Sequence, residues 1–358
     1  MLLAISSLTG LTAAYGQAGA DQLRSAMGRL ASAIPDSQFV MLQSPADSNS
    51  LYLELKSWLA GQRITAAQLA DGILIVGDQR VFPSFSIPNP VADRSLDPDD
   101  NVLTDNPYGQ FDWSTPGQAT LPPVPIGRLA AGVDQQARAL AALLNAVAGR
   151  HSRSSARTGY VEVTTRQWQN ASSSVLSATA PSARVFVSPD ERIDSSSASA
   201  LDCKYLYCNL HGSLSAAPWY GYDNSLSSMV PALTPDAFQP AFVSGTVAFS
   251  EACYGLATKC KRTNASNALS LLAAGAASVV GATGLAYGTA DPRGQTLIDA
   301  DVLARTFFNT ILSSGTSVGQ ALMAARQALR STGADGDSFL RKTLLEFQIL
   351  GDPSYVPA

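Results

Sequence analysis

The chain has 358 residues, 46% hydrophobic and only 15% charged, with a formal net charge of −4. That composition excludes a mostly disordered chain, the acidic balance argues against nucleic acid as partner, and no apolar run is long enough to span a membrane. Two histidines are present, His151 and His211, so chemistry that needs an imidazole must use one of them.

The N-terminal stretch MLLAISSLTGLTAAYGQAGA has no basic n-region, and Ser, Thr and Gly break its apolar run. It predicts a first strand over 1–8 and a loop, not a signal peptide, and hence a cytoplasmic protein. Residues 20–33 place Leu23, Met27 and Leu30 at helical spacing, 38–43 read as a strand and 50–60 as a helix. ILIVGD, 73–78, is a β-branched run of the kind found in parallel strands buried on both faces. Residues 83–125 change character: prolines recur beside Asp and Asn, which predicts a long irregular excursion containing TDNPYGQFD (104–112). VPIGRLA (124–130) closes it, and a helix over 133–148 follows. GRHSRSSARTG, 149–159, is polar and basic and reads as an exposed linker holding His151.

Beyond the linker the alternation resumes. Strands are expected at 159–165, 184–188, 205–210, 241–250 and 278–283, with helices between the first two, over 265–275, 297–313 and 317–330. LLEFQILGDPS reads as a last strand and turn. Strands alternating with helices predict an α/β fold with a mostly parallel sheet flanked by helices on both faces. The division expected is an N-terminal α/β subdomain, 1–150, and a catalytic one, 151–358.

Two strand ends carry the chemistry. His211 follows the 205–210 strand and Cys253 follows the 241–250 strand, so both side chains emerge at the carboxyl edge of the sheet, where reactive groups collect in open α/β folds. A thiol becomes nucleophilic as its thiolate, and an imidazole one strand away serves as its base. Gly212 and Gly255 flank the pair with small residues, which lets backbone N–H groups approach a substrate carbonyl. E-A-C-Y-G around Cys253 echoes the caspase signature Q-A-C-x-G, with His211 42 residues upstream.

Other strings point to less. Cys203, Cys208 and Cys260 have neither zinc-knuckle nor disulfide-scaffold spacing and read as packing thiols. GATGLAYG, 281–288, is not a dinucleotide fingerprint. No cofactor or catalytic metal is implied. Asp78, Asp105 and Asp112 are oxygen donors on loops that could take a structural calcium, with ordinary solvated carboxylates as the other reading.

In these residues the chain resembles the gingipain family of cysteine peptidases, within the caspase-like clan. The resemblance lies in ILIVGD, the Asp-x-x-Tyr-Gly of TDNPYGQFD, PIGR at 125–128, Leu210-His211-Gly212-Ser213, Trp219, Ala252-Cys253 and the terminal ILGDPS at 349–354, all in order. It implies a caspase-like fold and a cysteine endopeptidase with His211 as general base and Cys253 as nucleophile. It implies an oxyanion hole from the backbone N–H groups of Gly212 and Cys253, with Trp219 lining the substrate cleft. It also implies cleavage after Arg or Lys, which calls for an acid in the pocket. Asp223 is the first candidate, with Asp190, Glu191 and Asp194 as alternatives. The family places a Glu after the strand that follows the linker, where it orients the His; here the stretch reads TTRQWQ, 164–169, with no carboxylate. An inactive homologue serving as a binding or scaffold module is therefore the alternative.

The expected partner is a polypeptide substrate, joined by an activating partner or ligand if the enzyme is latent. The basic linker is itself a substrate for such an enzyme, which gives self-cleavage after Arg153 or Arg157 as a further expectation, against a plain solvated linker.

Overall fold

The structure is a computed structural model that describes residues 1–111, 121–152, 157–177, 179–223, 225, 227–289, 296–333 and 336–357. In chain order its elements are β1 (Leu2–Ser7), α1 (Leu8–Ala33), β2 (Gln38–Leu42), α2 (Ser48–Gly61), β3 (Gly72–Val76), β4 (Phe85–Pro88), β5 (Asn101–Thr104), β6 (Ile126–Leu129) and α3 (Ala137–His151). Then follow β7 (Tyr160–Thr165), α4 (Gln169–Leu176), β8 (Arg184–Ser188), β9 (Tyr205–Asn209), β10 (Trp219–Asp223), β11 (Ser228–Leu233), α5 (Pro240–Val243) and β12 (Val247–Ser250). The last are α6 (Asn267–Ala273), β13 (Ser278–Ala282), α7 (Asp299–Ser314), α8 (Val318–Thr332), α9 (Ser338–Glu346) and β14 (Phe347–Gly351).

Ten strands make one sheet in the order β2-β1-β3-β6-β14-β13-β12-β9-β7-β8. Every described pairing in it is parallel except β13 with β14. The α/β class and mostly parallel sheet expected from the alternation are present. The run 72–76 is fully buried between β1 and β6, as its continuous apolar sequence requires. In the second half, alternate strand residues feed two cores. Leu206, Ala248, Val279 and Leu350 join the core under α1, α3 and α6. Tyr207, Phe249, Val280 and Ile349 join the one under α4, α7, α8 and α9. The final strand β14 inserts between β6 of the first half and β13 of the second, so one continuous sheet runs through both. No helix among the described residues is long and apolar enough to cross a membrane.

Several elements differ from the sequence reading. Helix α1 starts at Leu8, where a loop was expected, because Ser7 caps it by accepting from the amide of Gly10. Gly16 then kinks it with φ 71. Gly10 is obligatory on packing grounds, since a Cβ there would lie 2.2 Å from the carbonyl oxygen of Val81. Residues 241–250 are not one strand: Pro240 opens a helical turn and Gly245, at φ +82, reverses the chain before β12. Helix α9 precedes β14, capped by Asp337, which accepts from Phe339 and Leu340.

The proline-rich excursion is ordered where it is described. β4 and β5 pair antiparallel. Asp105 forms a buried ion pair with Arg128 of β6 at 2.6 Å, and Tyr108 donates to the carbonyl of Pro83 at 2.6 Å. The Asp-x-x-Tyr-Gly and Ile-Gly-Arg strings are thus two sides of one structural contact. Asp78 is held by Arg80 at 2.6 Å. Neither Asp78 nor Asp105 is the solvated loop carboxylate or open calcium donor expected; Asp112 lies outside the described residues. His151 is not an exposed linker residue either. It ends α3 and meets Asp352 of the Gly-Asp-Pro-Ser turn at 2.7 Å.

Candidate active site

The register of β9 and β12 builds the site. Cys208 pairs with Ser250, so His211 and Cys253 stand equally far beyond the last paired residues of two neighbouring parallel strands. The ladder reaches on to Glu251, whose amide donates to the carbonyl of Cys208 at 2.9 Å. The loops then touch: a Cβ on Gly212 would lie 1.9 Å from the Cys253 carbonyl oxygen. Only glycine lets these two backbones approach so closely. Among the described residues neither the Gly212 nor the Cys253 amide donates to a backbone carbonyl.

The His211 backbone is clamped by β10, exchanging bonds of 2.8 Å in both directions with Tyr220. Its ring meets Trp168 at 4.2 Å between centroids, tilted by 43°. Its Nε2 lies 3.3 Å from Oε1 of Gln167. Gln167 and Trp168 come from the turn after β7, in the TTRQWQ stretch that lacks a carboxylate. An Nε2–H donated to Gln167 leaves Nδ1 as the ring's acceptor.

On the other side, Ala252 donates to Ser250 Oγ at 3.2 Å, and Tyr254, at φ +55, donates through its amide to Gly284 at 2.6 Å. The Cys253 thiol donates to the carbonyl of Ala286 at 3.6 Å. Burial pushes the Cys253 thiol up and the His211 imidazole down, so at neutral pH the two rest as thiol and neutral imidazole.

A cleft of about 280 Å³ opens beside Cys253. Gln167, Trp168 and Tyr287 line it together with two acids, Glu251 and Asp301. The acids are hydrogen-bonded to one another. Tyr207 donates to Glu251 Oε1 at 2.6 Å and the Thr289 amide donates to Asp301 Oδ2 at 2.6 Å. Burial, then the neighbouring Asp301, pushes Glu251 well above the ordinary carboxyl range. Asp301 is pushed up to about 6, chiefly by burial. A larger cavity of about 460 Å³, lined largely by alanines of α3 and by α6, shares no residue with this cleft and no titratable side chain lines it.

Of the residues singled out from sequence, the structure brings together His211, Gly212 and Cys253. Trp219 does not line the cleft; at 3% exposure it is a core residue at the base of the hairpin, and Trp168 is the aromatic beside His211. None of the four candidate acids lines the cleft. Asp223 accepts from Ser225, Asp190 pairs with Arg166, Glu191 accepts from the Val187 amide, and Asp194 accepts from Ser196. Glu191, Asp194 and Asp223 each accept within their own loop, and Asp190 ties the loop after β8 to the turn after β7. Glu251 had one signal in the sequence, its place just past the same strand end, two residues before Cys253. Asp301, in the first turn of α7, had none. Cys203 and Cys208 are buried as expected, but Cys260 is exposed and not a packing residue. The string GTSVG, 315–319, spells a serine-hydrolase elbow, yet Ser317 is the buried cap of α8, bonded to Gln320.

The family model for peptidase family C25 matches residues 54–358. The chain belongs to peptidase family C25. Its fold is that of gingipain R, an Arg-specific cysteine proteinase, which it matches with a TM-score of 0.64 at 12% identity over 99% of this chain and 77% of that one. The complex of the pro- and mature domains of a Porphyromonas gingivalis gingipain gives a TM-score of 0.63 at 13% identity, covering 99% and 79%. No curated protein sequence matches significantly. C25 membership makes this a cysteine-type peptidase fold.

Proposed function

We propose that this C25 chain is an endopeptidase that cleaves after a basic residue with His211 and Cys253. The observation that carries the reading is the cleft that has Cys253 on its wall and the Glu251–Asp301 pair on its lining. A guanidinium or ammonium group entering it meets two carboxyls that are already oriented by Tyr207 and the Thr289 amide. Such a cation displaces the shared proton and is paired where it would otherwise be desolvated alone.

The chemistry then runs as acyl transfer. His211 takes the thiol proton through Nδ1, the sulfur bonds to the peptide carbonyl carbon, and the carbonyl electrons move onto oxygen. The amides of Gly212 and Cys253 donate to that oxyanion. Collapse breaks the C–N bond, and the imidazolium gives its proton to the departing amine. Water, deprotonated by His211, releases the thioester acyl group and restores the thiol. Gln167 replaces the family's carboxylate as the group that orients His211.

The resting arrangement supports latency. The thiol donates to Ala286, and both members of the dyad are neutral. Binding of the substrate itself, or of an activating partner or ligand, turns the thiol toward His211. Self-cleavage is proposed for Arg153, which lies outside the described residues. Arg157 is a poor site for it, since its guanidinium is clamped by Asp202 and by the carbonyls of Ala241, Phe242 and Ser244. The test is turnover of peptides that differ only at the residue before the scissile bond, Arg, Lys, citrulline or Leu, by wild type and Cys253→Ala. Cleavage after Arg and Lys, absent from Cys253→Ala, supports the reading. No cleavage, with Cys253 no more reactive than Cys260, favours the inactive alternative.

A further inference from the structure

A fully buried ammonium lies behind the nucleophile, outside the groups the mechanism uses. Lys342 of α9 and Glu346, one turn on, have no exposed side-chain surface, and neither does Asp97. The Lys342 Nζ meets Asp97 Oδ2 at 2.5 Å, the Leu285 carbonyl at 2.7 Å, Glu346 Oε2 at 3.5 Å and Asp99 Oδ2 at 3.9 Å. It also stands 5.3 Å from the centre of the Tyr287 ring. The two aspartates belong to residues 89–100, the loop between β4 and β5 in the proline-rich excursion. That loop is braced internally: Asn89 donates to the Asp99 carbonyl at 2.8 Å, and the Asp99 amide donates to Asp97 at 3.0 Å.

What this cluster holds is informative. Asp99 accepts from the Tyr254 hydroxyl at 3.0 Å and from the Leu285 amide at 3.4 Å. Asp97 accepts from the Tyr287 hydroxyl at 2.9 Å. Tyr254 directly follows Cys253, and Leu285 and Tyr287 flank Ala286, whose carbonyl receives the thiol. A Cβ on Gly284 would lie 3.0 Å from Glu346 and 3.2 Å from Asp99, so the 283–287 segment rests directly on the charged group. Without a cation there, Asp97 would be a fully buried charge without a counter-ion, with the partly exposed Asp99 as a like charge beside it. The loop could not then hold both walls.

We propose that Lys342 is a positioning residue, the internal cation that ties loop 89–100 to the turn bearing Cys253 and to the Tyr287 wall of the cleft. This deepens the reading of Cys253 as the reactive thiol and rests on it. Tyr254 and Asp99 transmit the constraint to the nucleophile, and Tyr287 transmits it to the substrate wall. A displacement of about 1 Å at a reacting atom is worth roughly 100-fold in rate. Lys342→Met is therefore expected to lose about that in kcat.

The experiment uses the full chain and four variants, Lys342→Met, Asp99→Asn, Tyr254→Phe and Tyr287→Phe, each assayed well below its own melting temperature. Two readouts are taken: kcat and KM on an Arg peptide, and the rate of iodoacetamide alkylation at Cys253 relative to exposed Cys260. Tyr254→Phe removes one hydroxyl and leaves the charges alone; it is expected to lower kcat about tenfold with KM unchanged, a fraction of the full displacement effect. Tyr287→Phe is expected to raise KM instead. A purely structural cluster would lower melting temperature in all variants and leave kcat, KM and relative alkylation at wild-type values below it, which overturns the proposal. If Lys342→Met does not fold, Tyr254→Phe and Asp99→Asn decide alone, and unchanged values in both overturn it. If wild type cleaves no peptide, the peptidase reading fails by itself. Relative alkylation then judges the positioning claim: slowed in the variants supports it, unchanged overturns it.

Discussion

The carbonyl oxygen of Cys253 lies 1.9 Å from the point where a side chain on Gly212 would begin. Two loops from neighbouring parallel strands, the ones that carry the amides proposed as oxyanion donors, are thereby in backbone contact. Gly212→Ala must push the loops apart. It is expected to lower kcat/KM on an Arg peptide at least about 100-fold. Gly149→Ala, in open space at the end of α3, is the control and should leave activity unchanged. Steady-state kinetics on both variants checks this.

Gln167 sits 3.3 Å from His211 Nε2, where a carboxylate would stabilise the imidazolium. Gln167→Glu is expected to raise the His211 pKa, because a nearby anion favours the charged ring. The acid limb of the kcat/KM profile, which reports loss of the neutral base, should then move to higher pH by about one pH unit. Gln167→Ala should lower kcat about tenfold with the limb unmoved, within the usual range for an acid–base helper. A pH–rate profile of the three proteins decides the matter.

The acid pair gives specificity its own pH dependence. Asp301, pushed up to about 6, takes up its proton as pH falls below that value. The cleft then loses the negative charge that pairs a guanidinium. KM for an Arg peptide should rise below about pH 6, and KM for a citrulline peptide should not. Asp301→Asn should raise KM for Arg above about pH 6, converge with wild type below it, and remove the limb. KM measured from pH 5 to 8 with both peptides checks it.

How much of this was legible in the sequence depends on the range of the forces involved. β3 and β9 were readable because a parallel strand buried on both faces leaves a continuous apolar run. The placement of His211 and Cys253 at neighbouring strand ends was readable because both stand just past such runs. The acids were not. Asp190, Glu191, Asp194 and Asp223 sit close in sequence to the motif, yet Glu191, Asp194 and Asp223 accept within their own turns and Asp190 pairs with Arg166. Glu251 and Asp301, far apart in the chain, meet only because α7 packs over the β9–β12 pair. Trp219 and Trp168 exchanged roles for a similar reason: the pleat turns Trp219 into the core, and the short turn after β7 delivers Trp168 to His211. α1 shows the limit of propensity, since its Gly- and Thr-rich first turns are helical through Ser7's cap and tertiary packing.

Glu162 yields a stability prediction independent of catalysis. It lies in β7, between β9 and the edge strand β8, 1% exposed, and burial pushes it up to about 7 from an ordinary 4.5. The folded state therefore binds its proton more tightly than the unfolded chain. That contribution is fully present below about pH 4.5 and is lost as pH rises through about 7. Its loss amounts to about 3 kcal/mol by pH 9, since each tenfold difference in proton affinity between folded and unfolded chain is worth about 1.4 kcal/mol. Glu162→Gln should be the more stable protein at pH 9 and lose the advantage at pH 5. Urea unfolding at the two pH values checks this.

Everything proposed for catalysis turns on Cys253 being the tuned thiol of a cleft built for a basic side chain. The sharpest test labels the wild-type chain with two peptidyl acyloxymethyl ketones, identical except for Arg or citrulline beside the reactive group, and locates the adduct by mass spectrometry. The expected outcome is an adduct on Cys253, formed with the Arg reagent at least about tenfold faster than with citrulline, consistent with one charge-assisted pair. Equal rates for the two reagents, or preferential labelling of Cys260, would refute that role for Cys253 and its cleft.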